Sequence, residues 1–293
     1  MKFRIQHTTT YSYSAPVMLC YNMAHLVPRE TENQRCFSSL ISVSPEPVYQ
    51  NEGEDYFGNR TFYFSIQSPH KVLTIDVVSY LDVQPTPWAA QIDTHTLTCG
   101  ELRQMLKDGT TEEARMASEY CLDSLQIKRS PKLAAFVQEL FSDEKPVLKA
   151  AMTLTSKIFK EFTFDPTATD VTTPPEEVLE QKRGVCQDYA QLAIGCLRSV
   201  GLAARYMSGY IETLPPPGQE KLVGADASHA WFSLFVPDLG WVEFDPTNNL
   251  IASDQHIVTG WGRDYADITP LQGVVFEGGD THSLSVSVDV ARI

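Results

Sequence analysis

Up to about Gln84 the chain is written in short alternations of apolar and polar residues. Residues 2–7, 37–43, 60–67 and 72–83 alternate or concentrate β-branched and aromatic side chains, and clusters such as Ser44-Pro45-Glu46-Pro47 and Phe57-Gly58-Asn59 separate them. This pattern predicts an antiparallel sandwich or open barrel, with its tyrosines and phenylalanines in the core and in cross-strand pairs. After Gln84-Pro85-Thr86-Pro87-Trp88 the period becomes helical. Ser130-Pro131 caps a helix running to about Phe141, and a second helix from about Glu144 to Phe162 carries the stripe Val147, Ala151, Leu154, Ile158, Phe162. The polar run from Asp165 to Pro174-Pro175 reads as a connector bordering a cleft, and Glu176-Glu177 opens a short helix that leads to Cys186.

Residues 190–200 are apolar nearly all round, which predicts a buried central helix stopped at Gly201, with Cys186 at its start. Residues 203–212 read as a strand, Pro215-Pro216-Pro217-Gly218 as a surface turn, and residues 283–290 as a closing strand. Residues 229–236 alternate, Pro237-Asp238-Leu239-Gly240 has turn chemistry, and residues 241–245 return, which makes a hairpin. Its even positions, including Ala230, Phe232, Leu234, Val242 and Phe244, are apolar. His229, Trp231, Ser233, Trp241, Glu243 and Asp245 share the other face, which can line a cleft. Direct opposition of His229 and Asp245 needs pairing centred on Pro237, so a wider loop or a bulge is expected at the turn.

A thiol at a helix N-terminus faces unpaired N–H groups and the positive dipole end, which favour the nucleophilic thiolate. An imidazole and a carboxylate on one strand face complete the set for thiol catalysis, with Cys186 as nucleophile, His229 as base and Asp245 as orienter. The Cys186 N–H can hold part of an oxyanion, and the amides of Gln181 and Gln187 are candidates for the second donor. Asp188, in the first turn, is expected to interact with the dipole, and Trp231 or Trp241 to wall an acyl pocket.

At these residues the chain resembles a family. Gly184-Val185-Cys186-Gln187-Asp188-Tyr189, residues 204–210, His229-Ala230-Trp231, Phe244-Asp245-Pro246-Thr247-Asn248, His256-Ile257-Val258 and residues 262–271 look like successive blocks of the bacterial transglutaminase-like proteins, relatives of papain-type cysteine proteases. Residues 11–17, 26–29 and 55–59 are similar to the N-terminal region that accompanies this core in bacteria. The resemblance implies an α+β fold, with an N-terminal antiparallel β-sandwich-like domain over residues 1–88 and a papain-like catalytic core over 89–293. It implies the same Cys186, His229 and Asp245 roles, and it puts Tyr265, with Arg263 and Asp264, at the rim of the cleft. One departure is Ser233, where many members carry glutamate.

The chain has 293 residues and a formal charge of −14 without a basic cluster, which excludes nucleic acid and anionic membrane as expected partners. No window approaches a membrane span and the start lacks the apolar run of a signal peptide, so a cytoplasmic setting is expected. Six scattered cysteines make neither a disulfide framework nor a zinc site. The absence of His-x-x-x-His, Cys-x-x-Cys and a calcium loop argues for no metal and no other cofactor. The expected activity is therefore that of a cysteine peptidase or amidase acting on a peptide, isopeptide or other amide through a thioester. The alternatives are a true protein-glutamine transglutaminase and a non-catalytic binding protein on the same fold. The oligomeric state is not legible.

Overall fold

The first alternation becomes one long strand. In the computed structural model, which describes residues 1–212 and 228–293, β1 (Lys2–Ala24) buries every second residue from Phe3 to Thr9. With β2 (Gln34–Ser44), β3 (Tyr49–Glu54), β4 (Arg60–Ile66) and β5 (His70–Val83) it forms an antiparallel sheet in the order β2-β5-β1-β4-β3. β5 pairs along the first half of β1 and β4 along the second, from Cys20 to Ala24. Val17, Cys20, Phe62, Phe64, Ile66, Leu73 and Ile75 fill the core between them. The proposed turn at Pro215-Pro216-Pro217-Gly218 lies outside the described residues.

The middle of the chain supplies α1 (Trp88–Gln91), α2 (Cys99–Asp108), α3 (Glu112–Ala117), α4 (Pro131–Val137), α5 (Val147–Glu161), α6 (Pro175–Gln181) and α7 (Cys186–Ser199). A short parallel pair, β6 (Thr163–Phe164) with β7 (Arg183–Gly184), precedes α7. A second sheet follows: β8 (Ala204–Ile211), β9 (Ser228–Val236), β10 (Gly240–Asp245), β11 (Leu250–Ile251) and β12 (His256–Gly262), in the order β11-β10-β9-β8-β12. The whole is α+β.

α7 is buried on every side from Asp188 to Arg198. It ends where Gly201 takes φ +79°, a value a side chain disfavours, which lets Leu202 N–H return to the Leu197 carbonyl at 3.0 Å. Arg198 is buried within it without an ion pair among the described residues, and donates to the carbonyls of Tyr120, Ala204 and Arg263 and to the Ser124 hydroxyl. That cation ties α7 to three neighbouring segments.

The tail differs from the sequence reading. The alternation at residues 283–290 is a strand, but β13 (Leu271–Glu277) and β14 (His282–Arg292) pair with β1, in the first sheet and not the second. β1 is long enough to offer β14 its first half and β13 its second on the edge that β5 and β4 leave open. The segment assigned to the catalytic core thus returns to the N-terminal sheet.

The first sheet meets the second along β12. β12 is an edge strand, and two buried amides close that edge. Gln34 exchanges hydrogen bonds with the Val258 backbone at 2.9 and 2.7 Å, and Asn59 does the same with Trp261 at 2.9 and 2.7 Å.

Candidate active site

The start of α7 is set by its approach. Lys182 adopts a left-handed φ of 52° and ends α6, and the chain then extends through Gly184 and Val185. A Cβ on Gly184 would lie 2.5 Å from the Asp188 carboxylate, so glycine is required for closeness. Asp188 Oδ2 accepts the Val185 N–H at 2.7 Å and the Thr169 hydroxyl at 2.6 Å. Burial raises its pKa and those two bonds oppose the rise. Asp188 is therefore the cap that closes the first turn, leaving half-buried Cys186 as the first helical residue.

Across from it, β9 and β10 pair Gly240 with Val236 and Glu243 with Ser233, which centres the hairpin on Asp238. The expected bulge is absent. The register sets Asp245 opposite Trp231, two positions from His229, and the contact is made diagonally along one face, within reach of an imidazole and a carboxylate. His229 Nε2 meets Asp245 Oδ2 at 2.8 Å. The other ring nitrogen is left for Cys186, which lies close enough for its charge to act on the imidazole. Burial works against the imidazolium, but Asp245 and Cys186 override it and push the His229 pKa up to about 10.

Asp245 is fully buried. Its Oδ2 also accepts from Asn248 Nδ2 at 2.7 Å and His256 Nε2 at 3.1 Å, and Oδ1 from the backbone N–H groups of Thr247 and Asn248. Burial disfavours the anion, yet these donors hold the carboxyl well below the usual range. Burial lowers the His256 pKa more than Asp245 raises it, so His256 is a neutral donor. His229, Asp245 and His256 each offer a metal-ligand atom within 4.8 Å of the others, but here both Nε2 positions are directed at the carboxylate.

The remaining sequence candidates divide. Gln181 donates to Glu177 at 2.7 Å on the exposed end of α6, and Gln187 donates to the Val171 carbonyl at 3.0 Å, so neither amide serves as an oxyanion donor in this arrangement. Trp231 is buried; its ring stacks on His229 and its N–H reaches Glu243 at 2.7 Å. Trp241 lies at the far end of β10 against Tyr120. Tyr265 packs edge-on to Tyr206, and its backbone N–H meets Gln191.

Three residues have places at the site that the sequence reading did not assign to them. His256 sits on β12, whose approach to Asp245 is tertiary. Tyr206 is buried on the α7 side of β8, and its ionisation is suppressed by burial and then by the charge of Cys186. Glu243, directly opposite Ser233, supplies the buried carboxyl on this face. Burial pushes it up to about 7, against the Trp231 bond and Arg205.

Comparison with known proteins places the fold in a family. The bacterial transglutaminase-like N-terminal region matches residues 3–82, and the transglutaminase-like superfamily matches residues 134–246. An uncharacterized protein of Mycobacterium tuberculosis is 36% identical over 99% of this chain and 92% of its own length. The chain belongs to the transglutaminase-like superfamily. A solved structure of a candidate cysteine protease from Cytophaga hutchinsonii shares the transglutaminase-like fold with a TM-score of 0.76 at 20% identity, over 99% of this chain and 90% of that one. A Pseudomonas aeruginosa protein-glutamine gamma-glutamyltransferase is 33% identical over 29% of this chain and 13% of that protein.

Proposed function

We propose that this transglutaminase-like protein is a cysteine peptidase or amidase acting through a thioester with Cys186, His229 and Asp245. The observation that carries the reading is the His229 ring, which is bonded at Nε2 to a buried, multiply held Asp245 and whose pKa is raised by the charge of Cys186. The Cys186 sulfur attacks the amide carbonyl. The proton held on His229 passes to the departing nitrogen as the C–N bond breaks, leaving a thioester. His229 then takes a proton from water, whose oxygen attacks the thioester, and the acid and the thiol are released. Asp245 fixes the tautomer and does not change its protonation. The Cys186 N–H and the Tyr206 hydroxyl supply the oxyanion donors, because both glutamine amides are spent elsewhere.

Hydrolysis is favoured over cross-linking because transfer requires a site that positions an amine and excludes water. The test combines limiting iodoacetamide and peptide mapping with acylation by a peptide and cell-wall-peptide amide library. Trapped acyl-enzyme is then released in heavy-oxygen water containing a lysine-type amine. The expected results are first label at Cys186 and heavy oxygen in the released acid. Equal labelling of Cys121 and Cys186 would overturn the nucleophile, and a dominant amine adduct would make the protein a transglutaminase.

A further inference from the structure

A pocket of about 1030 Å³ opens where the first sheet, the segment after α3 and the far end of the second sheet meet. Phe57, Tyr120, Phe235, Trp241 and Trp261 wall it, and Arg205 is among its lining residues. No member of the triad lines it. Arg205 pairs in register with Ser233, four residues along β9 from His229, which is roughly 13 Å at strand rise.

Arg205 is 7% exposed. Its guanidinium carbon lies 3.8 Å from the ring centre of Trp261 and 4.4 Å from that of Trp241, so both of its faces are covered. Its Nε donates to Ser233 Oγ at 3.0 Å. Its two Nη groups have no hydrogen-bond partner among the described residues. The nearest buried carboxyl, Glu243, is engaged by Trp231. Burial draws the Arg205 pKa down to about 9, as expected of a cation short of counter-charge. The rim charges cancel, with Lys107 and Arg115 against Glu113 and Glu119, so the net charge of the lining residues is that of Arg205, and Arg29, on the Trp261 ring but outside the lining, adds no negative charge.

A guanidinium stacked on both faces can be approached only in its plane, at the edge that carries the Nη groups. That edge matches the two oxygens of a carboxylate. A single uncompensated positive charge suits one negative charge, and aromatic walls suit a flat apolar body. We propose that this pocket is a second binding site, remote from the triad, for a monoanionic carboxylic acid with an aromatic or other apolar body, held through the Arg205 fork. The proposal does not depend on catalysis at Cys186.

The test uses the full chain carrying Cys186→Ala, which leaves this pocket intact. N-acetylphenylalanine and its neutral amide are titrated by calorimetry and tryptophan fluorescence. The acid is expected to saturate and the amide to bind at least roughly tenfold more weakly, since it cannot make the charged pair. Arg205→Lys should remove the preference; because Arg205 is buried, Ser118→Trp on the rim serves as a second variant, expected to weaken the acid by a similar factor at unchanged melting temperature. Equal binding of acid and amide, no saturation up to about 10 mM, or acid binding unaffected by Ser118→Trp would overturn the site. Tighter binding of phenyl phosphate than of the acid would overturn the assignment to a monoanionic carboxylate.

Discussion

On the side of the second sheet that meets α7, β8 to β10 present Ala204, Ala230, Phe232, Leu234, Val242 and Phe244, packed into the large core with Ala190, Leu192, Ala193 and Leu197. On the other side the same strands present Arg205, Trp231, Ser233, Glu243 and Asp245, all buried and linked by polar contacts. One face is held by area removed from water, which is indifferent to detail. The other is held by partners, and a buried polar group that loses its partner costs about 1–3 kcal/mol. The strand period of two separates these jobs within nine residues of β9. The first sheet covers the polar face through Gln34 and Asn59 and by stacking Arg29 on Trp261, so the N-terminal region completes the surroundings of the chemistry without lending a group to the triad.

The sharpest way to break this comparison is at Asp245. Asp245→Ala is expected to lower the rate by on the order of a hundredfold or more, because His229 loses its orienting acceptor. It should also lower the melting temperature, since it strands the donors of His256, Asn248 and two backbone groups. Asp245→Asn should be milder in both. An activity assay beside a thermal melt checks this, and wild-type turnover in Asp245→Ala would refute it.

Glu243 tests the polar face through pH. Its pKa rises on folding from 4.5 to about 7. The folded state therefore keeps a proton that the unfolded chain releases first. The stabilisation is complete below about pH 4.5 and is lost as pH rises through about 7. Glu243→Gln retains an acceptor for the Trp231 N–H and removes the titration. Relative to the wild type, its stability should improve between pH 4.5 and 7.5 by about 2–3 kcal/mol, read as denaturation midpoints at the two pH values. Parallel curves for the two proteins would show that Glu243 does not titrate in this window.

The sequence made most of the apolar face readable and about half of the polar one. Helix α7 and the even positions of the hairpin follow from local period, and the Cys186, His229 and Asp245 types follow from element ends. The hairpin register did not, because parity places two residues on a face without saying how far apart they lie; a diagonal contact made the expected bulge unnecessary. Gln181 was misjudged although its reason is local: Glu177 lies one helical turn earlier and takes its amide. The place of His256 beside Asp245 and the partner strand of the tail depend on contacts between distant segments, which no window of sequence contains.

At the junction, Asn59→Ala should cost about 1–3 kcal/mol, because it leaves the Trp261 backbone N–H and carbonyl unpaired in a buried place. The comparison is sharpened by making Ser39→Ala on the first sheet, where the hydroxyl is part-buried and the neighbouring strand ladder stays intact. A loss confined to Asn59→Ala, measured by chemical denaturation, is the expected outcome. Equal losses would mean that the β12 edge needs no closure.

The smallest expected effect concerns Tyr206, a phenol on the apolar face whose ionisation burial and then the charge of Cys186 oppose. Tyr206 packs among Phe232, Leu234 and Tyr265, so Tyr206→Phe preserves the ring and removes only the hydroxyl. If that hydroxyl donates to the developing oxyanion, the rate constant for acylation should fall by about tenfold while KM stays near its wild-type value, the pattern of an interaction made in the transition state alone. A side chain that merely packs would leave both constants unchanged. A donor that binds the ground-state carbonyl as strongly would raise KM and leave kcat unchanged. Single-turnover acylation of Tyr206→Phe at fixed pH separates the three, and only the first outcome gives the apolar face a share in the chemistry.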